Sequence, residues 1–296
     1  MPSWIRGSDM TRRAHSTSVA RDTWRAVKGN PLSLVGLGII LALALTAILA
    51  PYVAPHDPYE TNPLAKLGRP TSIHPLGTDQ IGRDVLSRLL YGARISIRIA
   101  VQVAVISGTV GTLIGVLCGF IGGKVDSLLM RITDIFMSFP QLILAMAFAA
   151  ALGPSLQNVV LAVSMTEWTY FARLARSSAL ALRGQAHVDA ARAMGASKTR
   201  ILLCHVLPLT LSPLIVQLSL EMGGIIRTAA SLGFLGLGAQ PPTPEWGVMV
   251  TAGRNYLPAS WWVSTFPGLA IFLTVLGFNL LGDGVRDILD PRLRRK

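Results

Sequence analysis

The stretch from His187 to Pro208 reads H-V-D-A-A-R-A-M-G-A-S-K-T-R-I-L-L-C-H-V-L-P. Asp189 to Met194 has the composition of a short helix. Gly195 suits the left-handed residue that closes it, and Ser197 suits the cap of a second helix. Arg192, Lys198 and Arg200 make this helix-turn-helix basic, and His205 joins them when protonated. Long apolar runs flank it on both sides. A polar knuckle between two apolar spans has nothing of its own to bury in, so it reads as a surface for something outside the membrane.

Composition supports the membrane setting. The 296 residues are 51% hydrophobic and 14% charged, and the mean hydropathy is +0.51. Six apolar runs approach the roughly 20 residues that cross a bilayer as helix. They are 32–52, 97–121, 135–152, 156–172, 206–226 and 265–281. The expectation is an all-α polytopic membrane protein with about six transmembrane helices. The first run is longer than a signal peptide's core of roughly 7–15 residues and ends at Pro51, so it reads as an anchor. Two cysteines, Cys118 and Cys204, give no disulfide framework.

Charge orients the chain. With six spans, the two termini, the loop after span two and the loop after span four share one side. They hold 6, 5, 2 and 6 Lys/Arg, which is 19 of 27. The positive-inside rule puts the termini and the knuckle in the cytoplasm. The net charge of +12 is spread over four pieces and forms no single stripe, so nucleic acid is not a partner. The lipid bilayer is.

Other features are read with their alternatives. Residues 53–93 are Pro-rich with mixed charge, and residues 84–90 have an amphipathic period suited to a membrane surface. His56, Asp57, His74 and Asp79 show no helical ligand spacing, so this segment reads as a solvated loop and no metal site is assigned. Gly111, Gly115 and Gly119 recur every fourth residue on span two and suit close helix packing. Glu167 reads equally as a group lining a pathway or as the edge of a span that ends early. Met165 accompanies it, and Glu221 and Arg227 mark the end of span five near a cavity or the outer surface. Phe136, Met137 and Phe139 read as core. The segment Phe234 to Gly247 is too rich in Gly and Pro for continuous helix and reads as a re-entrant or surface turn. Arg254, Tyr256, Trp261 and Trp262 fit an interfacial belt.

The knuckle resembles the coupling motif of ABC-importer permeases: Glu-Ala-Ala, three residues, Gly, nine residues, then Ile-x-Leu-Pro. Asp189-Ala190-Ala191 stands in the first position, Gly195 at the right distance, and His205-Val206-Leu207-Pro208 nine residues on. Asp replaces Glu, and His replaces Ile. Three further stretches, His74 to Ser96, Phe234 to Gly247 and Phe278 to Arg294, are similar to the second permease subunit of dipeptide/oligopeptide/nickel ABC importers.

That resemblance implies the type I importer permease fold. The domains would be a cytoplasmic segment 1–31, a first helix with an extracytoplasmic loop 32–93, a permease domain 94–283 with coupling helices near 187–205, and a cytoplasmic basic tail 284–296. It implies a multi-pass protein of the bacterial inner membrane. A homologous permease would complete a path for peptides or a related solute, and an extracytoplasmic solute-binding protein would deliver the substrate. Two ATP-binding subunits would carry ATP and Mg. This chain has no G-x-x-x-x-G-K-[ST] run and is read as a transport subunit, not an enzyme, without a cofactor of its own. Asp189, Ala190, Ala191, Gly195, Ser197, Arg200, His205 and Pro208 would couple to the ATPase. Met165, Glu167, Glu221 and Arg227 would line the path. Pro241, Pro242, Trp246, Arg254 and Tyr256 would meet the binding protein. The rival reading is a secondary transporter or channel that works without ATPase subunits. A secondary transporter should show internal repeats, and no convincing one is found.

Overall fold

A helix that continues through the boundary of an expected loop sets the frame of the molecule. In the computed structural model, which describes residues 31–289, the anticipated surface helix 84–90 and the second span are one rod. Helix α2 covers Val85–Ile121. It starts where the Asp84 carboxylate accepts the Ser87 backbone N–H at 2.8 Å, capping donors that the helix itself leaves unpaired. Before it, α1 is Pro31–Val53. Residues 1–30 of the proposed segment 1–31 and residues 290–296 of the basic tail lie outside the described residues.

The remaining helices are α3 (Gly123–Ser138), α4 (Gln141–Leu152), α5 (Leu156–Arg183), α6 (Ala186–Ala193), α7 (Lys198–Phe234), α8 (Trp246–Arg254) and α9 (Trp262–Leu289). The described residues contain no β-strand. Among the described residues four helices, α1, α2, α7 and the apolar part of α9, are long and apolar enough to span a bilayer, and the pair α3–α4 would make a fifth if taken as one span. Helix α5 occupies the expected fourth span, but Gln157, Asn158, Glu167 and Arg173 dilute its apolar character.

The third span departs from expectation. It is broken at Phe139–Pro140 and bent by 95° between α3 and α4. Proline has no N–H for the ladder, and its ring forces the preceding residue out of helical geometry. Phe139 accordingly has extended backbone. The aromatic stretch does pack inward in part. Phe136 lies against Phe148 and edge-on to Trp168, with ring centroids 6.1 and 5.7 Å apart.

The core is built where α2, α4, α5 and α7 meet, around Val103, Ala145, Val163 and Ile225. The α2 glycine ladder makes the tightest of these contacts. A methyl on Gly115 would stand 2.1 Å from the Ala172 carbonyl, and one on Gly111 2.3 Å from that of Trp168. Only a hydrogen lets the two backbones approach so closely. Gly108 is not part of the ladder, since its nearest outside atom would be Leu218 Cδ1 at 3.8 Å.

Candidate functional site

Helix α2 carries a polar structure at each end. Its last turns, at Val116 and Phe120, pack against the knuckle. Its first turns, at Leu89 and Ala93, pack against Trp246 and Met249. At 1.5 Å per residue the two ends are roughly 50 Å apart.

The knuckle folds as its sequence dictates. Helix α6 closes with two reversed bonds, Gly195 N–H to the Arg192 carbonyl at 3.0 Å and Ala196 N–H to the Ala191 carbonyl at 3.1 Å. Gly195 has φ +83°, the left-handed conformation in which a side chain is strained. Ser197 Oγ then accepts the Arg200 backbone N–H at 3.3 Å and starts α7. Residues Leu202–Val206 form one π-helical turn. Pro208, which cannot donate to the ladder, follows that turn at the start of regular α-helix.

Burial divides the knuckle into an anchor and a face. Val188, Ala191, Ile201 and Val206 are buried and join Phe171, Ala175 and Ala179 of α5. Asp189, Ala190, Gly195, Ser197, Arg200 and Pro208 are exposed, and His205 is half-buried. Met194 is 82% exposed, the most prominent apolar side chain of the face. Of the two alanines, Ala191 serves internal packing and Ala190 alone points outward. Asp189 pairs with Arg192 at 2.8 Å, with both side chains more than half exposed. Cys118 and Cys204 are free thiols, the first buried and the second exposed.

The four residues expected on the path are not equivalent. Glu167 is completely buried. Its Oε1 accepts the side-chain amide of Gln141, the first residue of α4 after the break, and its Oε2 has no partner. Glu221 and Arg227 are close enough to act on it electrostatically. Met165, two residues away on α5, is 41% exposed on another face. Glu221 is half-buried and accepts the Gln217 amide at 2.7 Å, and Arg227 is exposed. No salt bridge joins Glu221 to Arg227 among the described residues.

At the other end of α2, the solvated loop expected for 53–93 is instead a folded cap. Asp79 is 4% exposed, Arg83 5% and Arg88 3%. Arg83 Nε donates to Asp79 Oδ2 at 2.6 Å, and Arg88 Nε stands 3.6 Å from the same carboxylate. Arg88 also donates to the Pro58 carbonyl at 3.0 Å and the Pro242 carbonyl at 3.2 Å. Charges so far from water persist only when paired and hydrogen-bonded. Two tryptophans close the cap: Trp246 Nε1 donates to the Leu89 carbonyl at 3.0 Å, and Trp262 Nε1 to the Thr78 carbonyl at 3.2 Å.

Trp246 is therefore not the exposed anchor expected for a partner, since its ring is used up inside the chain. Trp262 is likewise buried, whereas Trp261 is 48% exposed. Pro241, Pro242, Arg254 and Tyr256 do stay exposed. Glu245, at the start of α8, accepts the backbone N–H groups of Gly247 and Val248 at 2.8 and 2.9 Å. Burial nevertheless pushes its carboxyl up to about 7, against the opposing pull of those two bonds. The sequence motif His74–Ser96 covers Asp79, Arg83 and Arg88, but nothing local announces that they are buried.

These residues define a multi-pass, all-helical membrane protein with one polar end sealed and the other presented. Residues 111–295 match the family described as "Binding-protein-dependent transport system inner membrane component", and residues 18–70 match "N-terminal TM domain of oligopeptide transport permease C". The chain belongs to this family of transport permeases, and it is a transport subunit, not an enzyme. It is 48% identical over 266 residues to the probable D,D-dipeptide transport system permease protein DdpC of Escherichia coli K12, which covers 90% of this chain and 89% of that protein. It is 45% identical to the dipeptide transport system permease protein DppC of the same strain, covering 93% and 94%. The glutathione transport system permease protein GsiD of Salmonella paratyphi A is 45% identical, covering 93% and 91%. A chain of the inward-facing MetNI methionine ABC transporter overlaps 69% of this chain and 94% of its own length, at 22% identity and a TM-score of 0.49.

Proposed function

We propose that this permease imports a dipeptide or a comparably small peptide derivative, and that its knuckle couples transport to ATP hydrolysis on a separate subunit. The observation that carries this reading is the division of the knuckle into a buried anchor and an exposed face. Val188, Ala191 and Ile201 fix it to α5 and α2, so a displacement of the knuckle moves those rods instead of being absorbed by a loose loop. Asp189, Ala190, Met194 and Arg200 lie on the outer face, available to a groove in an ATPase. Gly195 makes the turn that holds both helices, Ser197 starts α7, and His205 and Pro208 flank the point within α7 where the π-helical turn gives way to regular α-helix. ATP and Mg belong to the two ATPase partners, and this chain has no cofactor.

A homologous permease completes the path, which runs along Met165, Glu221 and Arg227. Glu167, buried and accepting the Gln141 amide, ties α5 to the break at Pro140. The peptide class is supported by the D,D-dipeptide, dipeptide and glutathione systems named above. Orientation follows from the charge count: knuckle and termini are cytoplasmic, in a bacterial inner membrane, and the cap is extracytoplasmic. The solute-binding protein docks on the exposed part of the cap at Pro241, Pro242, Arg254 and Tyr256. The test is Gly195→Trp in the reconstituted complex. The variant assembles in the membrane but loses substrate-stimulated ATP hydrolysis. Normal stimulation would refute the coupling role.

A further inference from the structure

Two histidines far apart in sequence converge on one carboxylate at the foot of α2. His56 follows the end of α1 by three residues, His74 lies in the turn 71–77, and Asp84 caps α2. The His56 and His74 rings are 4.6 Å apart. One ligand atom from each of the three residues lies within 4.8 Å of the other two. His74 Nδ1 is 2.9 Å from Asp84 Oδ1, and His56 Nδ1 is 3.8 Å from the same oxygen. The carboxylate is almost fully buried, and the two imidazoles keep 30% and 22% exposure. Spacing along the chain gave no hint of this, because the partner is Asp84 and neither Asp57 nor Asp79.

From this geometry we infer that His56, His74 and Asp84 form a binding site for a divalent transition-metal ion of the Zn²⁺ type. Three observations carry it. His56 Nδ1 is buried and has no hydrogen-bond partner, since 3.8 Å is too long for one. The polar atom is thus aimed at the cluster with its own need unmet. A tetrahedral zinc ion with bonds of about 2.0–2.1 Å sets its ligands roughly 3.3 Å apart, and the observed 2.9 and 3.8 Å bracket that value. The outer support is already built: Asp84 Oδ2 accepts both the N–H and the hydroxyl of Ser87 at 2.8 Å. Ser87 Oγ in turn accepts the His56 backbone N–H at 3.0 Å. Such bonds fix the orientation of a ligating carboxylate.

Two imidazoles and one carboxylate favour zinc-like ions over Mg²⁺ or Ca²⁺, which seek oxygen ligands. On binding, the ion replaces the proton between His74 Nδ1 and Asp84, that proton passes to solvent water, and the neutral metal-bound ring carries its single proton on Nε2. A water fills the fourth position. The ion would staple the end of α1, the turn 71–77 and the start of α2.

The experiment titrates Zn²⁺ and Co²⁺ into the full-length chain, purified in its permease complex and stripped with chelator. The expected result is one Zn²⁺ per chain by mass spectrometry and the intense visible bands of tetrahedral Co²⁺. His56→Ala and His74→Ala each weaken Zn²⁺ binding by more than the roughly 10- to 100-fold that losing a supporting residue costs, and both abolish the Co²⁺ bands. Wild-type protein that shows no tetrahedral Co²⁺ bands would overturn the site without reference to any variant. Unchanged Zn²⁺ affinity in the His56→Ala/His74→Ala double variant would overturn it as well.

Discussion

The two polar ends of α2 solve opposite problems with similar residues. The knuckle and the cap both carry Asp and Arg between apolar helices. In the cap, Asp79, Arg83 and Arg88 satisfy one another and nearby carbonyls out of contact with water. In the knuckle, Asp189 and Arg192 meet in the open, and Met194 has no cover. Buried charge that closes on itself serves the fold. Exposed charge and apolar surface on a rigid anchor are what the proposed coupling role requires of the knuckle. The difference separates a buried ion-pair cluster from an exposed face more clearly than composition does.

Perturbing the cap should cost stability, and the largest effect should come from Asp79→Ala. It leaves two buried guanidinium groups without their carboxylate, and breaking such a set costs about 3–5 kcal/mol. A clear fall in the thermal midpoint in detergent is expected. An unchanged midpoint would mean the cap is not the sealed structure described.

Glu245 sharpens the same point through pH. Its folded carboxyl titrates at about 7 against an ordinary 4.5, so the folded state binds more protons between those values. Its contribution is therefore fully present below about 4.5 and lost as pH rises to about 7, by roughly 3 kcal/mol. Thermal midpoints across that window should fall with pH in the wild type and fall less in Glu245→Gln. Equal slopes would contradict the assignment.

The smallest stability effect is expected in the knuckle. Asp189→Ala removes an exposed pair of the kind worth about 0–1 kcal/mol, so the thermal midpoint should hardly move. Coupled ATP hydrolysis should drop all the same. A variant that loses stability and keeps coupling would reverse the comparison.

Legibility in the sequence follows the same divide. The knuckle depends on local rules, in which Gly195 ends one helix and Ser197 starts the next, and its chain spacing alone specified it. The apolar runs likewise fell on helices, and Gly111, Gly115 and Gly119 marked the seam with α5. The cap depends on contacts that no period records. Arg88 and Pro242 are 154 residues apart, Trp246 and Leu89 157, and Trp262 and Thr78 184. Alternation and charge in residues 53–93 resemble those of a solvated loop until those partners are in place. The break at Pro140 was visible as a proline, but its 95° bend depends on α4 packing against α5. The inward turn of Ala191 and outward turn of Ala190 depend on which side of α6 meets α5.

That last pair gives the most direct test of the central claim. In a Cys204→Ser background, Ala190→Cys and Ala191→Cys are compared by disulfide crosslinking in the assembled transporter. The cysteine at position 190 is expected to crosslink to an ATP-binding subunit and the one at 191 is not. Crosslinking of the ATPase to Pro241→Cys on the cap, with none to Ala190→Cys, would contradict it.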